Sequence, residues 1–392
     1  MVLLVLMSSC LTYNVIVRGK YFAQKAIYNL HLSFSIPLSL LIGALLINSI
    51  LEFSLRKIIL DPYPRKKEEI FVPFSLKYLN SKFQIFEFEG KDRIDFYNRN
   101  IEEVSYIIGQ PKLDEKLLKK AKKLKAVFNV EGNFLPNIDY HICQRKGIKI
   151  LTPSLVFALP VAELAIGMMI SLARGIHTSH IDFLGGKEKY GLESNTGSEL
   201  IFRTDIGFIG FGDLGRSIHQ LLKGFCPNIR VFDPWLTKSY LFREGVNPAS
   251  LEEVLEKSRF IFVVAAVTEK NLGMINSEKL DLMMPNASLL ILNRAAIADF
   301  SAIVKYSNLG KIKLATDVFP EEPLPLNHPI RKSKNVLLSA HRAGALRTAL
   351  LEMGNYVMED LELLEKGLPP LNCKMAETET VGILRSNPVK KS

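Results

Sequence analysis

The chain has 392 residues, of which 48% are hydrophobic and 23% charged, and its formal net charge at pH 7 is +10. This length predicts two domains with ample apolar content for their cores, and the absence of internal repeats and low-complexity tracts excludes repeat architectures and disordered chains. The positive charge is spread rather than clustered. The four cysteines show neither metal-binding nor redox spacing, which indicates a reducing compartment and no metal site.

The amino end holds two uncharged apolar runs, residues 1–17 and 32–51, and the second is long enough to cross a bilayer. A secretory signal fits poorly, because no basic residue precedes the first run. Two interpretations of residues 1–57 stay open: a membrane tether that leaves the rest of the chain on the cytoplasmic side, or an extension that is not part of the natural folded product. We favour the extension, and we expect any membrane contact to involve residues 1–55 alone.

Between residues 58 and 159, short strand-like runs alternate with helical stretches, which predicts a small parallel sheet. A lysine-dense stretch at 117–125 is interpreted as the solvated face of an amphipathic helix. It has no interleaved aromatic residues, so nucleic acid is not an expected partner. The next apolar run is typical of a buried strand, and a loop that contains Glu131, Gly132 and Asn133 follows it.

A glycine loop lies in the middle of the chain, after a strand-like run and before residues with helical apolar spacing. Strand, loop and helix are the surroundings that a dinucleotide-binding fingerprint requires. Gly210 would permit the tight turn, Gly212 would let backbone N–H groups approach a pyrophosphate, and Gly215 would let helix and strand pack closely. The helix that starts beside Asp213 and Leu214 would favour the phosphate charge through its free N–H groups.

The next strand-like run, residues 228–233, ends in Asp233 about twenty residues past the loop, where a carboxylate can bind the ribose hydroxyls of NAD. Pro234 and Trp235 follow, with no arginine to receive a 2′-phosphate, so NAD is favoured over NADP. The alternative interpretation is a glycine turn in some other α/β sheet, and Asp233 weakens it.

Further along, Arg294, Asp317 and His341 each follow a predicted strand, and Glu322 lies in a Glu-Pro pair between the last two. Singly, each has an ordinary explanation: a surface charge, a turn, or a histidine with a local hydrogen bond. The carboxyl ends of parallel strands, however, are where open α/β sheets bind ligands. An imidazole titrates near neutrality and can transfer protons, while a guanidinium presents a planar fork of donors to a carboxylate.

From about Ser105 to Gly367 the chain resembles the D-isomer-specific 2-hydroxyacid dehydrogenases. The stretches that carry the resemblance, besides the glycine loop, are Pro160–Glu163, Gly273–Asn276, Arg294–Asp299, Asp317–Pro323 and Ser339–Gly344. Each stretch is short, but their order and spacing together are specific. The resemblance implies the NAD-dependent interconversion of a small D-2-hydroxy acid and its 2-keto acid.

The resemblance also implies roles for individual residues. His341 would be the acid–base, Glu322 would fix its tautomer and favour the imidazolium, and Arg294 would hold the substrate carboxylate. Asp317 would hold the nicotinamide carboxamide, and the cofactor's phosphates would lie on the glycine loop. Backbone N–H groups of the loop formed by Glu131, Gly132 and Asn133 would meet the substrate carboxylate.

The implied fold class is α/β, with two doubly wound parallel-sheet domains. A Rossmann NAD domain at 160–341 would be inserted into a smaller, flavodoxin-like substrate domain at 58–159 and 342–370, and a polar tail at 371–392 would follow. The family dimerises through its NAD domains, so a homodimer is expected. Because the NAD pool is intracellular, a cytoplasmic location is expected.

Three positions depart from the family pattern. Leu292 stands where the family usually has a hydroxyl or small residue, and Ala295 stands where it usually has glycine. Glu131 is unusual beside an anionic substrate: we expect it to point into solvent, and the alternative is that it binds a polar or cationic group. Glu322 itself argues against the formate dehydrogenases, which carry glutamine there. A function as an NAD(H)-sensing, corepressor-like binding protein on the same scaffold is the alternative to an enzyme.

Overall fold

The computed structural model describes residues 55–333, 335–377 and 381. The apolar runs of the amino end and most of the predicted tail lie outside these residues, so the choice between tether and extension stays a prediction. Every site residue discussed below belongs to one compact unit, formed by Ile58–Ser81 and the chain from Ile85 onward.

Strands and helices alternate along the described residues, as parallel α/β architectures require. The strands are β1 (Arg56–Asp61), β2 (Phe83–Glu87), β3 (Val104–Gly109), β4 (Ala126–Phe128), β5 (Lys149–Thr152), β6 (Asp205–Ile209), β7 (Asn228–Phe232), β8 (Asn247–Pro248), β9 (Phe260–Val263), β10 (Ala287–Ile291), β11 (Ile312–Thr316), β12 (Val336–Leu338) and β13 (Lys374–Met375). The helices are α1 (Lys67–Ile70), α2 (Pro73–Lys82), α3 (Arg93–Asn100), α4 (Glu115–Lys120), α5 (Tyr140–Arg145), α6 (Ala158–Arg174), α7 (Ile176–Leu184), α8 (Asp213–Leu222), α9 (Lys238–Arg243), α10 (Leu251–Lys257), α11 (Ser277–Asp281), α12 (Phe300–Asn308) and α13 (Arg347–Glu365).

Six strands form the smaller sheet, in the order β13-β5-β4-β3-β1-β2. The strands β3, β4 and β5 pair in parallel. Every residue of β3 and β4 is buried, as expected for a sheet covered on both faces. The strand β13 pairs antiparallel with β5, with Lys374 opposite Thr152. Residues 371–377, predicted to belong to a polar tail, therefore contain an edge strand instead. The prediction missed it because this polar stretch has no apolar periodicity.

Seven strands form the larger sheet, in the order β12-β11-β10-β9-β6-β7-β8, and all neighbouring strands are parallel. The chain passes from β6 to β7 on one side and later reaches β9 on the other, so the strand order reverses at β6. Ligands bind outside the carboxyl ends of the strands at such a switch point. The glycine loop directly follows β6 and therefore lies there.

These two sheets confirm the predicted fold class. The order β2-β1-β3-β4-β5 within the smaller sheet is flavodoxin-like, and the larger sheet has the Rossmann order extended by one strand. The domain boundaries at 159/160 and 341/342 stay predictions.

The helix α4 is shorter than the lysine-rich stretch predicts. Asp114 caps its amino end by accepting a backbone N–H of the first turn, a contact that contributes about 1 kcal/mol. The helix ends at Lys120, because Ala121 leaves the helical conformation (φ −70°, ψ 79°). The backbone N–H of Lys125 already donates to a carbonyl of β3. The prediction of an amphipathic helix through Lys125 is therefore wrong after Lys120.

The helix α6 packs its apolar side chains into the core of the larger sheet, where Val161, Ala165 and Met169 are buried. Together with the preceding turn, in the segment Ser154–Arg174, it is the one helical stretch of the described residues with the length and composition of a membrane span. Core helices share those properties, and this one lies against α8 and the sheet.

Candidate active site

His341 and Glu322 are in direct contact at the carboxyl edge of the larger sheet. The Nδ1 atom of His341 lies 2.6 Å from Oε2 of Glu322, and about a quarter of each side chain is exposed (28% and 26%). The other carboxylate oxygen of Glu322 accepts the backbone N–H of Phe319 at 2.9 Å, which fixes the carboxylate. A carboxylate at Nδ1 selects the tautomer with its proton on that nitrogen, so Nε2 is left for a substrate.

The loop that carries His341 is held by Asp317, the residue that directly follows β11. His341 has a left-handed backbone (φ 47°), which costs a non-glycine residue about 1 kcal/mol or more. Its N–H donates to the Asp317 carbonyl at 2.7 Å. The N–H groups of Arg342 and Ala343 donate to the two carboxylate oxygens of Asp317 at 3.1 and 3.0 Å. Asp317 is only 1% exposed, so these bonds are shielded from water and stabilise the unusual conformation of the loop.

Arg294 lies three residues beyond β10, beside the same edge. Its Nη1 donates to the carbonyl of Asn293 at 2.7 Å, and the Asn293 amide in turn donates to the carbonyls of Val264 and Ala265 after β9. Burial lowers the pKa of Arg294, and the charge of the nearby Glu322 opposes that shift. A guanidinium stays protonated in proteins, so this half-buried cation is a suitable partner for an anionic ligand.

The departures beside Arg294 are accommodated without strain. Leu292 is 3% exposed and packs in the core on the α6 side of the sheet. Ala295 is absent from the described residues with positive φ, so its methyl group meets no left-handed backbone. Asn293, which anchors the arginine loop, was not predicted, because a single asparagine after a strand carries no sequence signal.

The glycine loop has the shape of an anion cradle. Gly210 has φ 89°, and a Cβ atom there would lie 2.5 Å from the backbone of Ala265, so only glycine fits. A Cβ on Gly215 would approach the Gly210 carbonyl to 3.0 Å, where α8 packs closely on β6. A Cβ on Gly212 would meet nothing within 4 Å, so the face of the loop at the start of α8 is open. Asp213 and Leu214 form the first turn of that helix. This open face and the helix amino end fit a pyrophosphate.

Asp233 follows β7 and is bonded to the glycine loop. Its Oδ2 accepts the N–H of Phe211 at 2.8 Å, and its Oδ1 accepts the N–H of Trp235 at 2.9 Å. Each carboxylate oxygen can accept a second hydrogen bond, so the side chain can also receive hydroxyl donors such as those of a ribose. The loop and Asp233 therefore form one unit at the switch point of the sheet.

The predicted substrate loop follows β4 in the smaller sheet, and Asn133 is partly exposed there. The expectation that Glu131 points into solvent is wrong: its side chain is 8% exposed, and Arg65 Nε lies 3.4 Å from its carboxylate. Arg65 belongs to the loop after β1, and because its guanidinium also donates to the carbonyl of Val130, it draws Glu131 inward. Nothing in the local sequence indicated this pairing.

Phe157 connects this loop to the loop of His341. A Cβ on Gly132 (φ 77°) would lie 2.3 Å from the Phe157 ring, and a Cβ on Gly344 would lie 2.9 Å from it. The aromatic ring therefore packs against both glycines, which come from the two sides of the candidate site. Phe157 ends the 3-10 turn before α6, and no motif or spacing in the sequence distinguishes it.

Comparison with known proteins identifies relatives of this chain. Residues 166–343 match the family model described as D-isomer specific 2-hydroxyacid dehydrogenase, NAD binding domain. The glyoxylate reductase of Thermococcus litoralis is 30% identical over 274 residues, which cover 66% of this chain and 80% of that protein. The D-3-phosphoglycerate dehydrogenase of Archaeoglobus fulgidus is 28% identical over 271 residues, and the match spans only 51% of its length against 69% of this chain.

A solved structure is more similar still. The crystal structure of a phosphoglycerate oxidoreductase from Rhizobium etli superimposes with a TM-score of 0.76 at 44% sequence identity. The superposition covers 82% of this chain and 98% of that one. The similarity thus extends over both sheets rather than over the NAD-binding part alone.

Proposed function

The chain belongs to the D-isomer-specific 2-hydroxyacid dehydrogenase family, and on this basis we propose that it is an NAD-dependent oxidoreductase that interconverts a D-2-hydroxy acid and its 2-keto acid. The observation that carries the proposal is the contact of 2.6 Å between His341 and Glu322, next to the half-buried cation of Arg294. NAD is the cofactor of the family's matched domain, and the open glycine loop fits its pyrophosphate.

In this mechanism each side chain has one task. Arg294 binds the substrate carboxylate and the oxygen on C2 through its planar fork of donors. His341 exchanges a proton with that oxygen through Nε2. While the imidazole ring holds this proton it is positively charged, and the Glu322 carboxylate stabilises that charge. NAD held at the glycine loop and Asp233 would supply the hydride chemistry.

The remaining residues position these groups. Asp317 holds the histidine loop through two backbone N–H bonds, and we assign it the carboxamide of the cofactor as a further ligand. The loop of Glu131, Gly132 and Asn133 is assigned to the substrate carboxylate through its backbone N–H groups. Since the Glu131 carboxylate is occupied by Arg65, that pair presents little net charge to the substrate.

The test is NADH oxidation against a panel of 2-keto acids, with His341→Ala as the control. We expect turnover with at least one 2-keto acid and its loss in the variant, which should still bind NADH. Tight NADH binding without turnover of any acid in the panel would contradict the enzyme and leave the NAD(H)-sensing alternative, which no observation on the described residues favours.

We further propose that the protein is a homodimer. The helix α7 has no buried residue, and it and the following segment expose large apolar side chains. These are Ile181, Phe183, Leu184, Tyr190 and Leu192. Several large apolar side chains exposed together on a protein surface mark an interaction site. Light scattering should give twice the monomer mass, and Phe183→Asp should shift the protein to monomer; a wild-type monomer would contradict the proposal.

A cytoplasmic location completes the proposal. The three cysteines of the described residues, Cys143, Cys226 and Cys373, are all free thiols, as a reducing compartment allows. The NAD pool that the reaction needs is intracellular. Fractionation of cells that express the native chain should recover the activity with the soluble fraction, and recovery with membranes would instead support the tether.

A further inference from the structure

An acidic residue stands in the loop that is shaped for an anion. Asp213 is the first residue of α8, directly after the open face of Gly212, and its side chain is only 13% exposed. A partly buried carboxylate here would repel a pyrophosphate and oppose the favourable field of the helix amino end. The loop can therefore accept an anion only if the charge of Asp213 is neutralised.

Two cations contact the Asp213 carboxylate, one on each oxygen. Arg216 Nη2 lies 2.6 Å from Oδ1, and its Nη1 donates to the carbonyl of Phe211 at 3.2 Å. This arginine lies one turn along the same helix and is a local partner. Lys374 Nζ contacts Oδ2, and it comes from β13, the edge strand of the smaller sheet.

The segment that presents Lys374 is firmly held. The carboxylate of Asp360, on α13 and fully buried, accepts the backbone N–H groups of Leu371, Asn372 and Cys373 at 2.6–3.1 Å. On the other side of Lys374, the N–H of Ala376 donates to the carbonyl of Ile150 in β5 at 2.8 Å. Because both flanks are fixed, the ammonium is directed at Asp213 by ordered backbone rather than by a loose tail.

We propose that Lys374 is a positioning residue for the cofactor: together with Arg216 it offsets the charge of Asp213 so that the glycine loop accepts the pyrophosphate, and it thereby links the smaller sheet to cofactor binding. The inference rests on the proposed function only in taking NAD(H) as the ligand of the loop. It assigns to the last strand of the described chain a role that the glycine fingerprint alone does not contain.

The test is NADH binding without substrate, measured by fluorescence titration on the full chain. Lys374→Met leaves one cation for Asp213, and we expect the dissociation constant for NADH to rise about tenfold, with a steeper loss at low salt. Asp213→Asn in the Lys374→Met background removes the carboxylate that Arg216 alone would then have to balance, and it should return the affinity to within about threefold of wild type. Lys366→Met, on an exposed lysine after α13, is the matched control and should bind as wild type does.

Two further measurements separate this role from a merely structural one. Lys374→Arg keeps the charge and should keep the affinity. ADP-ribose should lose affinity in Lys374→Met as NADH does, while adenosine, which has no phosphate, should not. Thermal unfolding of each variant without ligand reports whether it folds, and Lys374→Arg tests the charge even where Lys374→Met does not fold.

Several outcomes would overturn the inference. Unchanged NADH affinity in Lys374→Met would remove any role for the lysine. No recovery in the double variant would make Lys374 a direct phosphate ligand instead, and an equal loss of adenosine would make its role structural. A wild-type chain that binds no NADH would overturn this inference and the proposed function together. NADH binding without turnover would count against the proposed function alone.

Discussion

Replacing Asp317 by asparagine tests whether this carboxylate holds the loop of His341. The substitution keeps the shape of the side chain but leaves one acceptor oxygen where two N–H groups, from Arg342 and Ala343, now each have their own. The amide NH2 group would face the second N–H, donor against donor. A hydrogen bond to a charged group contributes about 1.5–3 kcal/mol, and a buried N–H left without a partner adds to the loss. We therefore expect Asp317→Asn to lower the free energy of unfolding by about 2–4 kcal/mol.

Turnover should suffer as well, because the left-handed conformation of His341 depends on these bonds. A displacement of about 1 Å at a catalytic group can cost about a hundredfold in rate, so we expect kcat to fall at least about tenfold. Urea unfolding gives the stability, and NADH-linked turnover well below the unfolding temperature gives kcat.

A matched control separates the two effects. Ser250 caps α10, away from the site, and its hydroxyl accepts the N–H of Glu253 at 3.1 Å. Ser250→Ala should cost about 1 kcal/mol of stability and leave kcat unchanged. If Asp317→Asn keeps its unfolding free energy within about 0.5 kcal/mol of wild type, the reasoning about the buried carboxylate is refuted. An unchanged kcat despite lost stability would refute its link to His341.

Three further predictions concern the cofactor, the substrate and pH. Gly210→Ala should lower both the unfolding temperature and NADH affinity, since its Cβ would lie 2.5 Å from the Ala265 backbone; Gly212→Ala, with an open face, should lower NADH affinity alone. Arg294→Lys replaces a fork by a point charge and should lower kcat/KM for the 2-keto acid about a hundredfold without changing NADH affinity, and an unchanged kcat/KM would remove Arg294 from the substrate. Burial lowers the pKa of His177, so the unfolded chain binds the proton more readily and stability should fall as pH drops through about 6.5. His177→Gln should flatten that fall between pH 7 and 5 in thermal unfolding, and an unaltered slope would assign it to other groups.

The parts of the site that the sequence predicted are those that depend on local pattern. Arg294, Asp317 and His341 follow apolar runs, and parallel strands bring their carboxyl ends to one edge, so their proximity follows from topology alone. The glycine loop is likewise a local signal, since strand, turn and helix are contiguous. The fold class follows from the same alternation of short strands and helices.

The parts that were missed depend on contacts between distant segments. Glu131 is turned inward by Arg65, which lies in the loop after β1, and only the folded sheet brings the two together. Lys374 lies in a stretch without apolar periodicity, and its strand forms because β5 offers an unpaired edge. The end of α4 at Lys120 depends on the start of β4, where tertiary pairing overrides the helical propensity of the lysines.

The return of β13 to β5 has a consequence for synthesis on the ribosome. All strands of the larger sheet lie within a continuous stretch, from Asp205 to Leu338, so they can pair as they emerge. The smaller sheet begins earlier but receives its edge strand last, at Lys374–Met375. Until then β5 presents open backbone donors and acceptors, the kind of edge on which a nascent chain pairs with the wrong partner. The vulnerable interval in the making of this protein thus spans the whole time needed to translate the strands of the larger sheet.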